Sequence, residues 1–167
     1  SATIVPSLPP SNAVASVTSY FDDNQMVTIS VTPPGDYLYQ LDTGLFQEDN
    51  FFTNLPSGDH IVTVKDKYGC GFTDVRFRIV NYPKFFTPNG DTYNDTWNIE
   101  SLIDIPNSGI YIFDRYGKLL KELTTADDSW NGTFTGAPLP SDDYWFLVEF
   151  TENFQSKEFK AHFSLKR

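Results

Sequence analysis

The sequence predicts an all-β protein built of β-sandwich domains in tandem, on three observations. Aromatic residues make up 16% of the chain, with 15 Phe, nine Tyr and three Trp, and such side chains suit a pleated, half-buried surface better than a helix. Short runs of β-formers recur between clusters of Gly, Pro, Asn and Asp, the pattern of an all-β sandwich. No segment sustains an apolar period near 3.6. A length of 167 residues leaves room for two small domains, each with its own core.

Residues 1–12, rich in Pro and Ser, read as a linker. Over residues 13–81, a first domain, strands are expected at 14–20, 27–31, 37–41, 51–55, 60–65 and 72–80. Turns separate them at Asp22-Asp23-Asn24, Pro33-Pro34-Gly35, Asp42-Thr43-Gly44, Pro56-Ser57-Gly58 and Lys67-Tyr68-Gly69. Over residues 82–167, a second domain, strands are expected at 96–100, 109–114, 118–123, 143–150 and 157–165, with a short one at 132–134. The stretch IYIFDRYGKLLKEL reads as a hairpin turning on Arg115-Tyr116-Gly117, where Gly117 supplies a positive φ. In the closing pair, Tyr144, Phe146, Val148 and Phe150 alternate with Trp145, Leu147 and Glu149. Its partner alternates Phe159, Ala161, Phe163 and Leu165 with Lys160, His162, Ser164 and Lys166. That period of two gives one buried and one wet face.

Charge narrows the partners. The net charge of −10 argues against nucleic acid, whose phosphates need a cationic surface. Residues 85–156 carry three Lys/Arg against twelve Asp/Glu, whereas residues 157–167 carry four against one. A basic last strand on an acidic body points to a role for that strand, or to a solvated edge guarded by lysine. No run of eighteen apolar residues is present to span a membrane as a helix. The chain opens on Ser1 without a basic start or apolar core, and reads as a piece of a longer protein. Cys70 is single, which rules out an internal disulfide; it is expected as a small buried residue, with pairing to a cysteine outside this sequence as the alternative.

Catalysis is not expected. His60 and His162 fall on polar-phase strand positions and read as surface residues. Acidic pairs at Asp127-Asp128 and Asp142-Asp143 fall in turns, and no phosphate loop, nucleophile elbow or zinc-type Cys/His pair occurs. Asn89, Asp91 and Asp95, within FFTPNGDTYNDTW, have a spacing that lets oxygens converge on a calcium ion. The preferred reading is a Pro-Asn-Gly turn closed by side-chain hydrogen bonds, ahead of the calcium one. Trp97, Trp130 and Trp145 offer an alternative function, a sugar-stacking platform in a carbohydrate- or protein-binding adhesin module.

Five motifs occur in order: FFTPNGDTYNDTWNIE, IYIFDRYGKLLKEL, WNGT, PLPSDDYWFLVEF and EFKAHFSLKR. Together they resemble the gliding motility-associated C-terminal domain, the type B sorting domain of the type IX secretion system of Bacteroidetes. The likeness covers about residues 82–167. The first half, with YLYQLDTGLFQ, FTNLPSGDHIVTVKD and YGC, looks like the Ig-like repeats that precede such domains in surface adhesins. The resemblance therefore implies two tandem Ig-like β-sandwich domains in a monomer, and a folded export signal rather than an enzyme. It also implies that the type IX translocon and a PorP/SprF-like outer-membrane barrel protein are the partners. The destination is the cell surface or the medium, by way of the periplasm. Thr92 departs from the family, which has glycine after the Asp of PNGD. Recognition is expected at Lys160, Phe163, Leu165, Lys166 and Arg167 of the last strand and at the Arg115-Tyr116-Gly117 tip, with core filling the competing role for Phe163 and Leu165.

Overall fold

The computed structural model describes residues 8–102, 105, 107–124 and 128–167, so residues 1–7 of the expected linker and Asp127 of the expected acidic turn lie outside it. Among the described residues the chain is all-β, with thirteen strands and one short 3-10 turn. It divides into two compact units, Ser1–Ile79 and Val80–Arg167.

In the first unit β1 (Asn12–Val17), β2 (Met26–Thr32) and β4 (Phe51–Thr53) form one antiparallel sheet in the order β1-β2-β4. A second sheet, β3-β5-β6, is made by β3 (Tyr37–Leu41), β5 (Gly58–Asp66) and β6 (Phe72–Ile79). Alternate side chains of the two sheets, among them Val27, Ile29, Tyr39, Val62 and Val64, form the core, as two inward-facing sheet surfaces must. Cys70 is exposed rather than buried. Its backbone N–H donates to the Asp66 carboxylate at 3.0 Å, in a turn that points the side chain outward. His60 is another correction: it is only 9% exposed. Its Nδ1 lies 2.9 Å from Asp42 Oδ2 and its Nε2 lies 3.0 Å from the Pro56 carbonyl. Those two acceptors let a polar ring lie beside Phe77 at a centroid distance of 5.5 Å.

The second unit is organised on one sheet, β7-β13-β12-β8-β9. Its strands are β7 (Phe85–Phe86), β8 (Gly109–Phe113), β9 (Leu119–Leu123), β12 (Asp142–Glu152) and β13 (Gln155–Leu165). All pairs are antiparallel except β7 with β13. A small hairpin, β10 (Thr133–Phe134) with β11 (Ala137–Pro138), stands apart. The strand expected at 96–100 does not form. Only Trp97 pairs, exchanging backbone hydrogen bonds with Trp130 at 2.8 and 3.0 Å, and a 3-10 turn follows at Glu100–Leu102. Asn98 turns its side-chain oxygen onto the N–H of Ile99 at 2.7 Å, taking a donor a ladder would use.

This two-tryptophan bridge brings its rings onto the aromatic inner face of the sheet. Trp97 stacks on Phe163 with centroids 4.0 Å apart, and Trp130 meets Tyr144 edge-on at 5.1 Å. Both indoles are buried with their N–H satisfied, Trp97 by the Pro83 carbonyl at 2.8 Å and Trp130 by that of Thr133 at 2.9 Å. They do not form a sugar platform. Of the three tryptophans only Trp145, 42% exposed, faces solvent.

Candidate functional site

In the PNGD loop every carboxylate oxygen is occupied by an N–H. Asp95 accepts the backbone N–H of Asn89 (2.9 Å) and Gly90 (2.7 Å) on one oxygen and of Thr92 (2.7 Å) on the other. Asp91 accepts Tyr93 N–H at 2.8 Å and the Asn89 amide at 2.8 Å, while the Asn89 oxygen takes Asp91 N–H at 3.0 Å. The Gly90 N–H chiefly holds the Asp95 carboxyl below its ordinary range, opposed by partial desolvation and helped by Thr92 and Asn89. Both Asp91 oxygens and Asp95 Oδ2 take one donor each and keep a second lone pair, so the hydrogen bonds describe the turn and leave calcium binding to be measured. Asn89, Asp91 and Asp95 are here the stitches of a turn. Thr92 has φ 72°, which explains the family's glycine at that place: the backbone is left-handed.

Arg167 gathers three of the five motifs. Its guanidinium donates to the carbonyls of Leu139 at 3.0 Å, Gly132 at 3.2 Å and Pro88 at 3.4 Å, and its backbone N–H donates to Ser141 Oγ at 2.9 Å. These carbonyls belong to the PLPS, WNGT and FFTPNGD stretches, so Arg167 is a latch within the domain. Phe163 and Leu165 are each 1% exposed. Both lie on the inner phase of β13, where Phe163 stacks on Trp97 in the core.

The outer phase presents a different surface. Strand register lines up His162, Trp145, Phe113 and Leu119 in one row across β13, β12, β8 and β9. Lys160 and Leu147 form the next row. The β8–β9 tip is built by Asp114, whose carboxylate accepts the N–H of Tyr116 at 2.8 Å and of Lys118 at 2.9 Å, with Gly117 at φ 80°. Arg115 pairs with Asp142, at the start of β12. Arg115, Gly117, Phe113, Trp145, Leu147 and Lys160 thereby line one groove of about 430 Å³. Tyr116 stands at the tip, 87% exposed. Lys166 lies apart from the groove, its ammonium 4.4 Å from the ring centre of Phe85.

Two predicted recognition elements, the tip and Lys160, therefore meet, while Lys166 and Arg167 do not join them. Sequence reasoning missed Trp145 and Phe113 as groove residues, although their outer phase was legible from the alternation along β12. Among the described residues, no group of three His, Cys, Asp or Glu is placed to hold a metal ion.

No curated protein matches the chain. Among solved structures, the dimeric latent PorU from Porphyromonas gingivalis is similar at 14% identity and a TM-score of 0.32, over 98% of this chain and 19% of that one. The BSP domain of a biofilm-associated protein is similar at 11% identity and a TM-score of 0.28, covering 90% and 29%. A two-domain fibronectin type III segment of chicken tenascin gives 10% identity and a TM-score of 0.30, over 90% and 97%. The chain thus spans about a fifth of the PorU chain and under a third of the biofilm protein. Residues 80–165, the unit that carries the aromatic sheet, the latch and the groove, match the family described as the CHU_C type IX secretion signal domain, and the chain belongs to that family.

Proposed function

We propose that the second unit is a folded address read by the type IX secretion machinery through the outer face of its five-stranded sheet. A PorP/SprF-like outer-membrane barrel is the receiving partner that the family resemblance suggests, and the cell surface or the medium is the destination. The observation that carries this reading is the groove. Within the family segment, one face of the sheet is packed with aromatic rings, and the other gathers the Arg115–Gly117 tip and Lys160 around an exposed tryptophan. A half-exposed aromatic anchor with an arginine beside it is the composition that dominates protein–protein contacts. Nothing in the reading requires the unit to act as an enzyme.

A fluorescent protein carrying residues 1–167 at its C-terminal side, expressed in a bacterium with a type IX system, tests it. Export is expected with the intact system and not in its translocon mutant. Trp145→Ala and Tyr116→Ala are expected to leave the domain folded and to lower export. Unchanged export of both variants would remove the groove from the recognition surface. Truncation of residues 164–167 is the wrong instrument, because it takes away buried Leu165 and the Arg167 latch and so tests folding.

A further inference from the structure

The hairpin of β12 and β13 closes on a turn whose sequence does not serve the fold. Glu152 pairs with Gln155, which leaves Asn153 and Phe154 as a two-residue loop. Their φ values are 51° and 63°, the doubly left-handed signature of a type I′ turn, in which Asn suits the first place and Gly the second. A phenylalanine in that second place strains the backbone, because its Cβ crowds the neighbouring carbonyl. The ring recovers nothing by packing, since Phe154 is 102% exposed, more than any other large apolar side chain described. Exposure alone would be ordinary; exposure joined to strain at one residue points to a contact made outside the chain. The turn is firmly held. Glu152 is buried, and its carboxylate accepts from the Lys157 ammonium across the base of the loop. Pairing of β12 with β8 stops at Glu149, so residues 150–152 carry the loop about 10 Å past it. Trp145 of the groove and Glu152 lie at opposite ends of β12, about 23 Å apart, so Phe154 is a contact point separate from the groove.

Magnitudes and charge say what can receive the ring. Residues 142–158 carry five Asp/Glu against one Lys, which an anionic headgroup surface repels. A single myristoyl chain holds a protein on a bilayer only marginally, and one phenyl ring offers less apolar surface still. Two copies meeting tip to tip would bury about 300–500 Å² in their rings, well under the roughly 1,000 Å² that a stable interface needs. As one anchor within a wider protein contact, by contrast, a rigidly held aromatic ring is a side chain of the kind that carries binding. Its neighbours Thr151, Asn153, Gln155 and Ser156 are uncharged, so the rim around the ring matches hydrogen-bonding groups rather than charges. We propose that Phe154 is a second anchor of the address, inserted into an apolar pocket with an uncharged rim on the receiving protein of the secretion machinery. This deepens the address reading and rests on it.

Phe154→Gly is the test, in the full chain fused to the reporter. It removes the ring and supplies the residue a type I′ turn prefers, so the urea midpoint of the chain, read by tryptophan fluorescence, is expected at or above the parent's. Export is expected to fall about tenfold, the effect of an anchor worth about 1.4 kcal/mol. Phe154→Asn also tolerates the left-handed backbone; it is expected to export as the glycine variant does, and it decides should that variant not fold. Parent-level export of a folded variant overturns the proposal. A lower urea midpoint overturns it too, because the ring would then have a place in the fold. The unmutated chain is expected to sediment as a monomer and not to float with vesicles of phosphatidylethanolamine and phosphatidylglycerol. Self-association or flotation that Phe154→Gly abolishes would assign the ring to a second copy or to lipid, and either result overturns the proposal. Failure of the unmutated chain to be exported defeats the address reading instead, and unchanged export of Trp145→Ala defeats the groove alone.

Discussion

Gly132, in the WNGT motif, gives the sharpest test of the packing. Its φ is 76°, and a Cβ there would lie 2.6 Å from Leu165 Cδ1, 3.2 Å from an Arg167 nitrogen and 3.3 Å from Phe86. Leu165 and Phe86 are both 1% exposed, so neither side chain has room to withdraw. Gly132→Ala therefore adds a left-handed penalty of about 1–2 kcal/mol to an overpacking cost of about 1–3 kcal/mol, or roughly 2–5 kcal/mol together. Gly136 is the internal control: its φ is 84° but nothing lies within 4 Å of its Cβ position, so Gly136→Ala carries only the backbone share of about 1–2 kcal/mol. All three tryptophans lie in the second unit, so urea unfolding followed by tryptophan fluorescence reports that unit alone. With a slope of about 1–3 kcal/mol per molar urea, a 3 kcal/mol loss lowers the midpoint by roughly 1–3 M. Equal midpoints for the two variants would refute the claim that the last strand and its latch close over Gly132.

Three further outcomes are expected. Thr92→Gly relieves a β-branched residue at φ 72°, and the gain outweighs the added freedom of the unfolded chain, for a net stabilisation of up to about 1 kcal/mol in the same urea assay. Calcium at millimolar concentration is expected to give no heat on titration and no chelator-sensitive melting shift, as the turn reading of Asp91 and Asp95 requires. Asp95 has a folded pKa below its unfolded value near 3.8, so its contribution is present above that pH and is lost as pH falls through the folded value. Asp95→Asn should accordingly lower the melting temperature of the second unit at pH 7, with the gap to the parent closing in strong acid.

The all-β fold was legible wherever alternation was strong. The strand expected at 37–41 is β3 (Tyr37–Leu41), and the expected pair at 143–150 and 157–165 lies within β12 and β13. What stayed hidden was two-residue pairing: β7 and β11 are too short to show a period. The segment after Thr96 shows the opposite failure, since Trp97 and Ile99 have strand phase and are buried without a ladder. His60 misled by its phase, because the Asp42 carboxylate that lets it lie inside comes from eighteen residues away in sequence. Arg167 misled by its charge, for a terminal arginine looks available until the carbonyls of Pro88, Gly132 and Leu139 are seen around it.

The same alternation gives one strand two faces of different character. Odd positions of β13, Phe159, Phe163 and Leu165, face the aromatic layer, where Phe163 alone meets Trp97, Trp130, Tyr144, Phe146 and Phe86. Even positions, Glu158, Lys160 and His162, face water. A one-residue slip would exchange the two sets, burying lysines and exposing phenylalanines, and eleven consecutive pairs with β12 oppose it. A surface presented this way is rigid because its reverse side is packed, and rigid presentation lowers the ordering cost a reader must meet on binding. Changes at even positions of β13 are therefore separable from folding, and changes at odd positions are not.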